Sequence, residues 1–185
     1  MSVLARLPSL VILDRDGVIN EDSDEYIKTP DEWQPIKGAL EAIKQLKTKG
    51  IPVAIATNQS GIARGLFSFA TLQRMHAKLF SLLGENADAI HYIAVCPHGP
   101  DAGCVCRKPK IGLLEEISRK LSMPLNRSVY FVGDSLKDLQ AAKSAGCTPV
   151  LVKTGKGQRT LASSAFSLQD VAVFDKLEQF TDTLV

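Results

Sequence analysis

Leu10-Val11-Ile12-Leu13-Asp14-Arg15-Asp16-Gly17-Val18-Ile19-Asn20 is the stretch on which the fold turns. Four apolar residues without polar alternation suit a strand buried on both faces, the habit of parallel sheets. Two aspartates two positions apart follow at once. If the strand continues through them, its period of two puts both carboxylates on one face and turns Arg15 away. Gly17 then lets the chain turn. Carboxylates this close repel one another and cost desolvation energy unless a cation sits between them, so a hard divalent ion such as Mg2+ is the natural third party. The plainer alternative is an Asp-Arg-Asp-Gly turn held by an Asx hydrogen bond.

Outward from this stretch, apolar runs alternate with amphipathic ones. Val53 to Ala56 is expected as a second buried strand, ending on Thr57-Asn58-Gln59-Ser60-Gly61; His91 to Val95 as a third, running into Cys96. Val129 to Val132, Val150 to Val152 and Val171 to Phe174 complete the set, with Gly133-Asp134-Ser135 after the fourth and Lys153 after the fifth. Between them, Leu40, Ile43 and Leu46 predict a helix stopped by Gly50. Ser68 is expected to cap a helix whose Phe69, Leu72, Met75, Leu79 and Leu82 or Leu83 face the core, with His76 exposed on its far side. Helices are also expected from about Ile111 to Leu121, from Ser135, paired as a cap with Asp138, to Ala145, and from Leu177 to Leu184. The pattern is that of an α/β protein, a Rossmann-like doubly wound three-layer sandwich with a mostly parallel central sheet, in one domain over residues 1–185.

Composition narrows the partners. The 185 residues are 45% hydrophobic and 23% charged, ordinary for one globular domain. Twenty-two basic against twenty acidic residues leave a net charge of +2, far from the excess that a nucleic-acid-coating protein carries. Apolar runs are too short to cross a membrane, and Met1 to Leu13 meets the Asp pair without a small-residue cleavage site. A cytoplasmic monomer is the expectation. Three of the four cysteines crowd into 96–106 beside His98, which in a reducing compartment favours metal over disulfide; Cys147 stands apart as a small core residue.

The polar residues Asp14, Asp16, Thr57, Cys96, Asp134 and Lys153 all follow carboxyl ends of predicted strands, the edge where open parallel sheets place their sites. Their chemistry suits phosphoryl transfer. Asp14 can attack phosphorus while Asp16 protonates the leaving oxygen and later activates water. Asp134 can complete the Mg2+ site with Asp14, and Thr57 and Lys108 can each hold a phosphoryl oxygen. Asp138 reads as a helix cap before it reads as a ligand. Cys96, His98, Cys104 and Cys106 supply three thiolates and an imidazole, enough to fill a tetrahedral Zn2+ with no open position, hence a structural ion. Such an ion would stiffen the loop that presents Arg107 and Lys108.

Asp14-Arg15-Asp16-Gly17, Thr57, Lys108 and Gly133-Asp134 with Asp138 together resemble the four ordered motifs of the haloacid dehalogenase-type phosphatases. The resemblance implies a HAD-like fold, Asp14 as nucleophile, Asp16 as acid and base, and Mg2+ on Asp14, the backbone carbonyl of Asp16, and Asp134. With the zinc loop, the whole chain is similar to the heptose bisphosphate phosphatases of that superfamily, which act in lipopolysaccharide and other surface-glycan precursor synthesis. That likeness implies a small phosphorylated sugar as substrate, touched by Arg15, Asp22, Ser23, Asp24, Glu25, Asn58, Gln59, Ser60 and Arg107. Ser135 stands where some members carry a substrate-touching lysine, leaving Lys137 or Lys153 to compensate. Histidinol-phosphate phosphatases share the same motifs and zinc loop; Arg107 favours a substrate with a second anionic group. A non-catalytic binding module would have lost the nucleophile or the lysine, and both stand. Asn20 to Gly38 and Gly61 to Ser68 leave no room for the folded cap domain common in the superfamily.

Overall fold

The computed structural model describes residues 7–163 and 167–184. Residues 1–6, part of the segment read above for a cleavage site, lie outside the described residues. Six strands, β1 (Leu10–Leu13), β2 (Val53–Asn58), β3 (Ile90–Cys96), β4 (Val129–Gly133), β5 (Thr148–Val152) and β6 (Ala172–Phe174), form one sheet in the order β3-β2-β1-β4-β5-β6, parallel throughout. The helices between them are α1 (Ala39–Thr48), α2 (Phe69–Leu83), α3 (Gly112–Leu121), α4 (Leu136–Ser144), α5 (Gly157–Ala162) and α6 (Leu177–Asp182).

The period of two sorts β1 into both layers. Val11 and Leu13 pack with α1, α2 and α6, through Ile43, Leu46, Met75, Leu79 and Phe180, whereas Leu10 and Ile12 pack with α3 and α4, through Leu113, Ile117 and Ala141. With helices on both faces, every residue of β1 is fully buried, which is why that strand is apolar without alternation. At roughly 25 cal/mol per Å2 of apolar surface removed from water, these two layers are the main source of stability.

Chain order reverses at β1, which lies between β2 and β4. Crossovers leave it on opposite sides there, opening a crevice at the carboxyl ends of β1 and β4. The segments 14–38 and 59–68 are loops, so no folded insert covers that crevice.

Several expectations shift. Phe69 and Leu82 are exposed and Leu83 takes the core position of α2. His76 is not exposed: it is half-buried beside Arg15, and burial, then the guanidinium charge, lowers its pKa to about 4. The short helix α5, unforeseen because Lys153-Thr154-Gly155-Lys156-Gly157 reads as a loop, follows β5. The closing helix ends at Asp182, short of Leu184.

Candidate active site

Asp14 sits one residue past β1, its N–H still donating to the Val132 carbonyl at 2.9 Å, and Asp134 sits one residue past β4. The two carboxylates therefore meet across the crevice. They are two walls of a cavity of about 380 Å3 that Asp16, Asp22, Ser23, Asp24, Asn58, Gln59, Ser60, Arg107, Lys108, Lys137 and Lys156 also line. Close approach demands glycine here: Gly17 has φ +82°, and a Cβ on it would stand 2.1 Å from Asp134 Oδ2.

Lys108 is the buried cation of the site. Its Nζ lies 2.9 Å from Asp14 Oδ1 and 2.7 Å from Asp138 Oδ1 and donates to the Ala56 carbonyl at 2.8 Å. Burial works against its charge, but the charges of Asp138 and Asp14 outweigh it and hold its pKa above the ordinary lysine value. Asn58, last residue of β2, sets the backbone there: its Nδ2 donates to the Lys108 carbonyl at 3.2 Å and its Oδ1 accepts from the Lys108 N–H at 3.1 Å. Because Asn58 is paired with Cys96 in the β2–β3 ladder, the same turn also begins the Cys/His loop.

Asp138 closes a capping box with Ser135, Oδ2 accepting from the Ser135 N–H at 3.0 Å and hydroxyl at 2.6 Å, while Oδ1 faces Lys108. Asp14, Asp134 and Asp138 each bring one carboxylate oxygen within 4.8 Å of the others. With Asp138 engaged on both oxygens, Asp14 and Asp134 are the anionic ligands left for a hard divalent ion, and their chemistry fits one. Without it they are strained electrostatically. Burial, then the charge of Asp138, pushes Asp134 up to about 7; burial also raises Asp14 well above the usual carboxylate range, Lys108 pulling it back and Asp138, Asp134 and Asp16 pushing it further.

Asp16 differs. Arg15 reaches its Oδ1 from Nε at 3.1 Å and Nη2 at 2.7 Å, Asn20 Nδ2 donates to the same oxygen at 2.9 Å, and Gln59 Nε2 to Oδ2 at 2.7 Å. Burial would raise its pKa, but the Arg15 charge and these donors prevail and lower it. Arg15, expected as a substrate contact, is wholly buried and does not line the cavity: it turns away from the crevice, as the period of two requires, and returns its charge to Asp16 from behind.

Two further expected residues stand off the cavity wall. Glu25 does not line the cavity, whereas Tyr26 and Ile27 beside it do. Thr57 is fully buried, its hydroxyl accepting from Gln59 Nε2 at 2.8 Å, and is not among the residues lining the cavity. Asp22 and Asp24 face cations that sequence reasoning missed: Asp22 Oδ2 lies 2.7 Å from Lys156 Nζ, and Asp24 Oδ1 3.2 Å from Arg159. Lys156 also donates its N–H to Asp134 Oδ2 at 2.7 Å. Gly155 makes this approach possible, since a Cβ there would stand 2.2 Å from the same oxygen.

Cys96, His98, Cys104 and Cys106 gather with ligand atoms within 4.8 Å of one another, Cys96 Sγ to Cys104 Sγ at 3.8 Å and to His98 Nδ1 at 3.6 Å. Tetrahedral Zn2+ with bonds near 2.1–2.3 Å asks for such separations. The loop also anchors Arg107, whose Nη1 donates to the His98 carbonyl at 3.1 Å.

Comparison with known proteins matches residues 4–146 to the haloacid dehalogenase-like hydrolases. D-glycero-beta-D-manno-heptose-1,7-bisphosphate 7-phosphatase of Pseudomonas aeruginosa is 52% identical over 177 residues, spanning 96% of this chain and 98% of its own. That of Neisseria meningitidis serogroup B is 44% identical over 95% of this chain and 94% of its own. Among solved structures, D,D-heptose 1,7-bisphosphate phosphatase from B. bronchiseptica, complexed with magnesium and phosphate, superposes with a TM-score of 0.89 at 47% identity, covering 94% of this chain and 96% of that one. At this identity over nearly the full length of both chains, the chain belongs to the haloacid dehalogenase-like hydrolases and, among them, to the D-glycero-beta-D-manno-heptose-1,7-bisphosphate 7-phosphatase family.

Proposed function

We propose that the enzyme removes the C7 phosphate of D-glycero-beta-D-manno-heptose 1,7-bisphosphate by way of an aspartyl-phosphate on Asp14, supplying precursors of lipopolysaccharide and related glycans. The observation that carries this reading is the convergence of Asp14, Lys108 and Asp134 on one open cavity. Bound at Asp14, Asp134 and the Asp16 carbonyl, Mg2+ would neutralise charge on the transferring group and on the nucleophile. Asp14 attacks phosphorus through a carboxylate oxygen. Asp16, fixed by Arg15, Asn20 and Gln59, gives a proton to the departing sugar oxygen and afterwards takes one from water, which attacks the acyl phosphate. Lys108 faces the equatorial oxygens, and Asn58 keeps it there.

Zn2+ on Cys96, His98, Cys104 and Cys106 holds the 96–106 loop in place of a cap, and one domain over 1–185 acts as a monomer. Three thiols committed to zinc suit a reducing, cytoplasmic setting. No helix among the described residues is long and apolar enough to cross a membrane.

Phosphate release from a panel of esters with Mg2+, run beside Asp14→Asn, tests the reading. Highest kcat/KM on the heptose bisphosphate and none in the variant support it. Preference for histidinol phosphate overturns the substrate, and turnover by Asp14→Asn overturns the nucleophile.

A further inference from the structure

The stretch Lys153-Thr154-Gly155-Lys156-Gly157 leads from β5 into α5 and lies against the turn after β1 and the end of β4. Lys153 is tied to Asp175 at 2.7 Å and does not line the cavity. The threonines on either side of Gly155 and Lys156 reach towards the site instead. Thr154 Oγ1 donates to the Gly17 carbonyl at 2.6 Å, and Thr160 Oγ1, in α5, to the Asp134 carbonyl at 2.8 Å. Gly155, at φ +55°, permits this closeness, because a Cβ there would stand 2.5 Å from Gly17 Cα.

Neither bond is of the local kind. A threonine in a helix commonly returns its hydroxyl to the carbonyl one turn back, as Thr48 does to Lys44 at 3.1 Å. Thr160 has such a carbonyl in Lys156, which accepts its N–H at 2.9 Å, yet its hydroxyl goes to a residue 26 positions away. Thr154 reaches across 137 positions. Both far ends belong to groups that would surround a divalent ion: Asp134 itself, and the peptide that follows the Asp16 carbonyl. Gly17 is held on its other side as well, its N–H donating to the Asn20 carbonyl at 2.7 Å. With the Lys156 N–H on its Oδ2, Asp134 is fixed at carboxylate and backbone by one segment.

We propose that Thr154 and Thr160 are positioning residues for Mg2+, an assignment that rests on the Mg2+ site read above. Their hydroxyls hold Gly17 and Asp134 so that the Asp16 carbonyl and the Asp134 carboxylate keep their mutual spacing. Mg2+ demands near-octahedral geometry with bonds of about 2.0–2.1 Å, so ligands that follow two different strands need a common brace. The 154–160 segment touches both. Neither threonine lines the cavity, so any effect on turnover passes through the metal. Hydrogen bonds that orient metal-ligating groups are worth about 10- to 100-fold in affinity.

Titration calorimetry of Mg2+ into the zinc-loaded enzyme reads this without turnover. Thr160→Val and Thr154→Val keep the side-chain shape and lose the hydroxyl. Each is expected to weaken Mg2+ binding about 10- to 100-fold and to raise half-saturating Mg2+ in steady-state rates by the same factor, with kcat at saturating Mg2+ largely intact; Thr160→Ser restores most of the affinity. Thr148→Val is the control. Its hydroxyl donates to the Arg127 carbonyl at 2.7 Å at the opposite end of β5, so this variant loses the same kind of bond and melts lower with unchanged Mg2+ affinity. Parental affinity in either site valine variant, a serine variant no better than valine, or an equal loss in Thr148→Val overturns the proposal. A parent enzyme that binds no Mg2+, or an Asp134→Ala variant that binds it as tightly as the parent, overturns the metal site and the proposal with it.

Discussion

Asn58 grips the backbone of Lys108 from both sides, donating to its carbonyl and accepting from its N–H, fifty residues away in the chain. The lysine that faces Asp14 is thereby fixed through its backbone by the Asn58 amide. Asn58→Ala is expected to lower kcat by about a hundredfold, since displacements near 1 Å cost that much, with a smaller change in KM and full zinc content. Steady-state rates and metal analysis check it; an unaltered kcat would mean the clamp is dispensable.

The two aspartates of the first motif should part company when each is made an amide. Asp14 has a pKa raised by burial and like charges, so its ionised form destabilises the metal-free fold at neutral pH. Asp14→Asn is expected to lose about 10^4 or more in activity while melting higher than the parent without Mg2+. Asp16→Asn strips the counter-charge from a fully buried Arg15 and costs about 3 kcal/mol, lowering Tm by roughly 10 °C. Calorimetric melts of both variants separate the cases.

Asp134 carries a pH signature. Its pKa is about 7 in the folded chain against about 4 unfolded, so in the metal-free protein it withdraws stability as pH rises through that interval and adds no further loss above it. Asp14 acts in the same direction; Asp16, with its lowered pKa, contributes stability that is lost only on the acid side of the ordinary carboxylate value. Mg2+ binding should release protons at pH 6 and few at pH 8.5, as titration calorimetry in two buffers of different ionisation enthalpy will register.

Removing zinc tests the loop. Burial pushes the Cys96 thiol up to about 12, so occupation of this site must expel its proton, and a chelator acting at mildly acidic pH should strip the ion most readily. The stripped enzyme is expected to lose at least tenfold in kcat/KM as Arg107 loses its anchorage on the His98 carbonyl, while Mg2+ affinity is retained. Stripped enzyme with full kcat/KM contradicts the role given to the loop.

Much of the fold and of the site is legible in the sequence. Strands buried on both faces announce themselves by unbroken apolar runs, and the residue after each such run is where function collects, so Asp14, Cys96 and Asp134 could be found by position alone. What sequence hid was direction. The period of two turns Arg15 away from the crevice, but only the fold shows its guanidinium doubling back on Asp16. Asp22 and Asp24 line the cavity as expected, but their partners Lys156 and Arg159, some 135 residues away in the chain, are named by no local pattern. His76 and Phe69 exchanged roles because a helical stripe fixes angle, not how far along the helix the neighbouring layer extends.

Asp138 has two duties. One oxygen starts a helix and the other steadies the lysine, so folding and turnover draw on a single side chain. Laboratory evolution for heat resistance alone, with no demand for activity, would keep aspartate at this position. A retained Asp138 in a distant sequence is accordingly poor testimony that the sequence still encodes a working phosphatase, and the residues to consult are those with no structural duty of their own.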